Sequence, residues 1–315
     1  MAESLRGASK DFDRFSQATL RSALFTAVNA CFGSYLCGID PHKLAVMSTL
    51  PSLYISHGSP MTALDPGQVG KRLAELAAAL PRPKAVVIAT AHWLAHKPTV
   101  GGAAQPETIH DFYGFPRELF EIQYPAPGAP AVSAHVMQLL ERAGLSPALD
   151  ATYGLDHGAW VPLRLMYPQA DIPVVPLSIQ PNLGPAHQYA VGQALAPLRD
   201  EGVLIIGSGS ITHNLHDFRA GYSEEREAPY VRPFIEWIEQ KLTTGDVDAL
   251  LDYRSHAPYA ERAHPTDEHL LPFYVALGAA GKHPKAQRID AGVDLGFLAM
   301  DIYRFDEQKA VVTAQ

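Results

Sequence analysis

The sequence predicts an α/β fold, with a mainly parallel central sheet flanked by helices, and three observations predict it. Continuous apolar runs at 84–90 (KAVVIAT), 172–179 and 202–207 (GVLIIG) suit strands buried on both faces of a parallel sheet. Stretches with helical spacing separate these runs, and strands that alternate with helices build βαβ units. No internal repeat or low-complexity tract interrupts the pattern.

Each element follows from its residues. Ser52–His57 reads as the first strand and runs into the turn His57-Gly58-Ser59-Pro60. Val69–Leu80 places Leu73, Leu76, Ala77 and Leu80 on one helical face, and Pro81 stops it. Lys84–Thr90 is a strand that ends in Ala91-His92-Trp93. Residues 101–128, rich in Gly, Pro and aromatics and without a period, read as a long binding loop or lid. Pro130–Ala143 is a helix closed by Gly144. A loop with Asp156-His157-Gly158 precedes a helix near Trp160–Met166. Ile172–Ile179 is a strand, Pro185–Arg199 a helix, and Gly202–Gly207 a strand that opens into Ser208-Gly209-Ser210-Ile211-Thr212-His213. The region 230–281 is mostly helical, including Thr266–Ala280 with Thr266 as N-cap. Ala286–Asp290 and Gly296–Phe305 are the last strands. Residues 47–305 are thus expected to form a single α/β domain, preceded by an extension over 1–46 and followed by a tail over 306–315.

Composition narrows the function classes. The chain has 315 residues, 47% of them apolar and 18% charged, which supplies a large core and excludes global disorder. A net charge of −8 offers no attraction to nucleic acid or anionic lipid. The apolar stretch Ser22–Cys37 falls short of the ~20 residues a bilayer span needs, and Asp11 and Asp13 spoil a signal peptide. Cys31 and Cys37 are too few for a disulfide scaffold or a thiolate metal site. The expectation is a cytoplasmic protein of enzyme size.

Fourteen histidines stand out, and their placement matters more than their number. His57 and His92 lie at or just past the ends of apolar strands, and His213 follows another by a short Gly/Ser turn. Open α/β sheets bind ligands outside the carboxyl ends of their strands. Neutral imidazole is the commonest metal ligand, so a metal site at the C-terminal edge of the strands is expected. His269 is a fourth candidate ligand, in the first turn of the helix begun by Thr266, where the helix N-terminus favours the neutral ring. Glu268 beside it is an alternative ligand. His157 has no strand before it, and Asp156 alongside suggests an orienting or proton-transfer role as readily as a structural one. His96 and His216 read as surface residues, and His264 carries no special context. There is no H-E-x-x-H motif. The serines at 208 and 210 lack nucleophile-elbow spacing, so the small residues there read as clearance for a ligand or for His213. The aromatics Phe112, Tyr113, Phe115, Phe120 and Tyr124 form either a satellite core or the apolar wall of a pocket.

Tyr54–Met61 (YISHGSPM), Ala89–Trp93 (ATAHW), Thr108–Gly128 (TIHDFYGFPRELFEIQYPAPG), Gly154–Trp160 (GLDHGAW), Asp171–Ile179 (DIPVVPLSI), Gly207–Leu215 (GSGSITHNL) and Pro265–Pro272 (PTDEHLLP) occur in this order. Jointly they resemble the class III extradiol ring-cleavage dioxygenases, in the branch similar to 4,5-DOPA dioxygenase extradiol proteins. The resemblance spans about 51–303. It implies a non-haem Fe(II) enzyme, with Zn(II) often found in isolated members. His57 and His92 match the first two metal ligands and His269 the third, a position where the protocatechuate-cleaving branch has a carboxylate. His213 matches the active-site histidine that serves as base or additional ligand, and His157 a histidine just outside the ligand set.

On that reading a catechol-type substrate and O2 meet at the metal, His213 takes a proton from the catechol, and His157, steered by Asp156, returns one. Phe112 and Phe115 stack on or wall off the ring, with His110 beside them. A zinc-dependent hydrolase built on the same histidines and a non-catalytic adaptor of the same fold are the alternatives.

Overall fold

The computed structural model describes residues 49–223, 225–281 and 284–307. The expected extension over 1–46 lies outside the described residues, as does all of the tail except Asp306 and Glu307. Those two belong to the last strand, where they pair with Lys285 and Pro284.

Ten strands are present among the described residues: β1 (Ser52–Ser56), β2 (Ala85–Leu94), β3 (Thr99–Gly101), β4 (Ala148–Asp150), β5 (Val174–Ile179), β6 (Val203–Gly209), β7 (Pro284–Ile289), β8 (Val293–Asp294), β9 (Leu298–Ala299) and β10 (Ile302–Glu307). The helices are α1 (Gly67–Ala79), α2 (Arg117–Glu121), α3 (Pro130–Arg142), α4 (His157–Met166), α5 (Gly184–Leu195), α6 (Val231–Thr244), α7 (Val247–Leu251), α8 (Tyr253–His256), α9 (Ala260–Ala263) and α10 (Leu271–Ala279). Eight strands form one sheet in the order β4-β3-β5-β2-β6-β1-β10-β7, while β8 and β9 make a separate two-stranded ladder. The four central strands β5, β2, β6 and β1 run parallel. On one flank β10 and β7 add antiparallel. On the other, β3 is antiparallel to β5 and pairs in parallel with β4.

The central strands are the apolar runs of the sequence. Val86, Val87 and Ile88 of β2 and Leu204, Ile205 and Ile206 of β6 are fully buried, as expected where helices cover both faces. Helices α5 and α10 pack on each other, and α10 lies along β6 and β1; α4 lies on β2 and against α1. Every residue of α10 is buried, which accounts for its apolar circumference. No helix among the described residues is long and apolar enough to cross a membrane.

Three local readings needed correction. The three-residue strands β3 and β4 escaped notice because they are too short to carry a periodic signal. The segment 101–128 is not structureless. It contains α2, and Ile109 N donates to Leu155 O (2.7 Å), Trp160 Nε1 to Ile109 O (3.1 Å) and the buried Tyr124 hydroxyl to Tyr167 O (3.0 Å). Finally, α10 begins at Leu271 rather than near Thr266. Pro272 explains this, because in a continuous helix its ring would strike the carbonyl four residues back, at Glu268. Thr266 caps nothing, and its hydroxyl donates to Glu268 Oε1 (2.9 Å). His269 therefore sits in a turn before the helix, not in its first turn.

Candidate metal centre

Chain topology gathers the histidines at the C-terminal ends of the parallel strands. His57 follows β1 directly, and its backbone N–H donates to Gly209 O at the end of β6 (3.0 Å). His92 lies within β2, inside the register irregularity between Ala89 and Leu94. Such irregularities re-aim side chains beside active sites. His213 lies four residues past β6, its N–H bonded to Ala263 O (2.9 Å). The His269 carbonyl accepts from the Tyr54 hydroxyl (3.0 Å) and from Ser210 N (2.9 Å).

The small residues of the β6 turn clear space for backbone, not for a ligand or for His213 as the sequence suggested. A Cβ on Gly209 would lie 2.0 Å from the His269 carbonyl oxygen, and one on Gly207 would lie 2.0 Å from that of Pro272.

Ligand atoms of His57, His92 and His269 all lie within 4.8 Å of one another. The Nε2 atoms of His57 and His92 are 3.1 Å apart. Two of the rings hydrogen-bond their other nitrogen to an oxygen, and the third faces one. His57 Nδ1 lies 3.0 Å from Ser208 Oγ, whose hydroxyl donates to Gly158 O (2.5 Å), so the serine must accept from His57. That carbonyl is free because Pro162, four residues on within α4, has no N–H to give it. His92 Nδ1 lies 3.4 Å from Asp111 Oδ2, and His269 Nδ1 lies 3.2 Å from Glu268 Oε1. All three Nδ1 atoms thus face oxygen acceptors, which leaves three Nε2 lone pairs for the centre. Two such lone pairs at 3.1 Å repel each other unless a cation lies between them. That spacing suits two nitrogens bonded to one ion at about 2.1 Å. The residues present fit a divalent transition metal, whose ligating histidines characteristically give their second nitrogen to such partners.

The other predicted residues surround this set. His213 stacks on His269 with ring centroids 3.4 Å apart and planes 9° apart. One of its ring nitrogens groups with a ring nitrogen of His269 and a carboxylate oxygen of Glu268. The His157 ring lies 3.9 Å from that of His92 and 5.5 Å from that of His57. Phe112 meets His157 edge-on at 5.8 Å and packs with Phe115 (5.5 Å) and Phe120 (5.0 Å). His110 touches Phe112 at 5.7 Å, and its Nε2 is hydrogen-bonded to Ile122 O (2.9 Å), which braces this aromatic cluster from inside the segment. Tyr113 is exposed, and Tyr124 belongs to the main core. His96 and His216 are exposed, as expected.

The structure contradicts the expectation that Asp156 steers His157. Asp156 is the N-cap of α4 and accepts from Ala159 N (3.1 Å), the Thr90 hydroxyl (2.7 Å) and the Tyr153 hydroxyl (2.9 Å). Burial and the charge of Asp111 push its carboxyl up to about 6. The partner of His157 is Asp111, which sequence reasoning missed. Burial raises the Asp111 carboxyl, but hydrogen bonds from His157 outweigh this and hold it at about 2. An aspartate in an unperiodic loop, between a histidine and a phenylalanine, carries no local sign of a long-range partner. His264 was also passed over. It is fully buried, and its Nε2 donates to Ile211 O (2.7 Å).

Burial keeps these imidazoles neutral, reinforced at His57 and His269 by the neighbouring rings. His57 and His269 are held well below 6.5, His92 at about 3, and His213 and His264 at about 4. A histidine whose folded value is depressed contributes stability that is present above about 6.5 and lost as pH falls toward the folded value. Each such proton costs about 1.4 kcal/mol per pH unit across that window. Asp156 and Asp301, both raised to about 6, act in the opposite sense but are outnumbered. The metal-free chain should therefore melt at progressively lower temperature as pH drops from 6.5 to 4, and a flat melting curve across that range would contradict a neutral cluster.

Comparison with known proteins identifies the family. Residues 46–293 match the family model described as the catalytic LigB subunit of aromatic ring-opening dioxygenase. The chain is 43% identical over 258 residues to a 4,5-DOPA dioxygenase extradiol of Beta vulgaris, covering 81% of this chain and 96% of that one. To a protein of the same name from Escherichia coli (strain K12) it is 38% identical over 265 residues, covering 82% and 96%. Among solved structures, an uncharacterized protein from Escherichia coli K12 superposes with a TM-score of 0.68 at 33% identity, covering 81% of this chain and 99% of that one. The chain belongs to the LigB family of class III extradiol dioxygenases and is an aromatic ring-opening oxidoreductase.

Proposed function

We propose that the chain opens the ring of a DOPA-like or related catechol with O2, using Fe(II) held by His57, His92 and His269. The observation that carries this reading is the convergence of three neutral imidazoles with their Nε2 atoms free. The names of the relatives support a substrate of the DOPA type. When bound, the ion supplies Lewis-acid binding of the catechol oxygens and a route for electrons from substrate to O2.

The protein's own groups do the rest. His213, neutral and beside the ligand set, takes the proton of a catechol hydroxyl. His157, through the lone pair of the ring nitrogen that Asp111 leaves unengaged, accepts a hydrogen bond from the other catechol hydroxyl, takes up its proton, and returns it near the ring-opening oxygen. Phe112 and Phe115, braced by His110, form the apolar wall for a flat ring and limit access of water. Replacing Phe112 by alanine should raise KM before it lowers kcat, because the wall binds ground state and transition state alike. Steady-state kinetics with a catechol checks this, and an unchanged KM would remove Phe112 from the pocket.

The decisive experiment reconstitutes the full chain anaerobically with Fe(II), adds L-DOPA or protocatechuate, and admits air. Uptake of one O2 per catechol with a yellow ring-opened product is expected, and the zinc-loaded chain should consume none. If neither catechol draws O2 with the iron-loaded chain, the reading is overturned for these substrates. Hydrolytic turnover by the zinc form alone would favour a hydrolase.

A further inference from the structure

Asp111 connects parts of the molecule that are far apart in sequence. Its Oδ1 accepts the backbone N–H of His157 (2.9 Å), and its Oδ2 accepts His157 Nδ1–H (2.9 Å). The same Oδ2 lies 3.4 Å from His92 Nδ1. One carboxylate from segment 101–128 therefore reaches the first residue of α4 and a side chain of β2. Its side chain is 24% exposed. The next residue, Phe112, lays its ring edge-on against His157.

We propose that Asp111 is a positioning residue that sets the ring tautomer of His157 and ties the aromatic segment to the imidazole cluster. For the use of His157 in turnover, this rests on the function proposed above. An ionised carboxylate only accepts hydrogen bonds. The proton of a neutral His157 ring is therefore held on Nδ1, and Nε2 keeps its lone pair for a substrate hydroxyl. The carboxylate cannot rotate out of this arrangement easily. His157 opens α4, and its N–H is one of the amides that a helix leaves without an internal partner. Asp156 covers Ala159 N and Asp111 covers His157 N, so the two acids divide the exposed amides of that helix end, where negative charge is favoured.

The same anchoring makes the proposal testable with a near-isosteric change. In Asp111→Asn the backbone N–H of His157 still demands an oxygen, so the carboxamide oxygen takes the Oδ1 place. Its NH2 then faces His157 Nδ1 and drives the ring proton to Nε2, which blocks the free lone pair. Asp111→Ala imposes neither tautomer. A role in packing alone would rank these variants the other way, with alanine the more damaging.

The test combines two readouts on the full chain. Nitrogen NMR of isotope-labelled histidine in the zinc-loaded protein should show His157 protonated on Nδ1 in the parent and on Nε2 in Asp111→Asn. In the iron-loaded protein, Asp111→Asn should lose about 10–100-fold in kcat, the usual range for partners behind a metal centre, with a smaller change in KM. Metal content should be retained, and Asp111→Ala should keep more kcat than Asp111→Asn. An Nδ1-protonated ring in Asp111→Asn, undiminished kcat, or a larger loss in Asp111→Ala would overturn the proposal. The NMR readout needs no turnover, so if the parent opens no catechol ring the functional reading fails while the tautomer assignment is still decided.

Discussion

Replacing His57 by alanine should remove bound metal and ring-opening activity together. His57 is 3% exposed, its Nδ1 is anchored on Ser208, and its Nε2 lies 3.1 Å from that of His92. The flanking strand residues Ile55 and Ser56 are buried in the sheet and cannot take its place. Loss of a partner behind a ligand typically costs 10–100-fold in affinity or activity, and loss of the ligand itself should exceed that. His92→Ala should behave the same way. Elemental analysis per chain and O2 uptake after Fe(II) loading check both variants. Full metal content with normal turnover in either one would show that the ion sits elsewhere.

His213→Ala should have the second largest effect and a different signature. Its ring lies flat on His269, while the three-nitrogen set with free Nε2 atoms is complete without it. If His213 serves as the base, kcat should fall by about 10²–10⁴-fold, the usual worth of general acid–base catalysis, and most of the metal should remain. The measurement pairs metal content with kcat at saturating catechol. Should His213→Ala lose its metal as readily as His57→Ala, His213 is a fourth ligand and the proton must go elsewhere.

The strand-end histidines were readable before any coordinates because two periodicities coincide there. A run such as KAVVIAT has to be buried on both faces, so its end must lie at a sheet edge, and parallel strands place such ends on one side. This reasoning located His57, His92 and His213 without knowing which strands are neighbours. At His269 the ring joins the cluster as expected, but the helix-start argument for it failed, because Pro272 displaced the helix N-terminus. The ring is neutral because it is buried among other imidazoles, not because of a helix dipole. Local reasoning failed again at His157, where the adjacent acid, Asp156, looked like the partner and proved to be a helix cap.

Asp111, Ser208 and Pro162 show why such partners escape a linear reading. Pro162 leaves the Gly158 carbonyl unclaimed, Ser208 gives that carbonyl its hydroxyl proton, and His57 is thereby fixed with its proton on Nδ1. Each link joins residues 4, 50 or 151 positions apart. By itself the sequence determined the parallel α/β core and the edge at which the imidazoles meet, since burial and strand direction follow from local pattern. Only the tertiary structure decided which ring nitrogen of His57 and His157 is free, because a tautomer depends on the oxygen that lies about 3 Å away, and for these two rings that oxygen comes from a distant part of the chain.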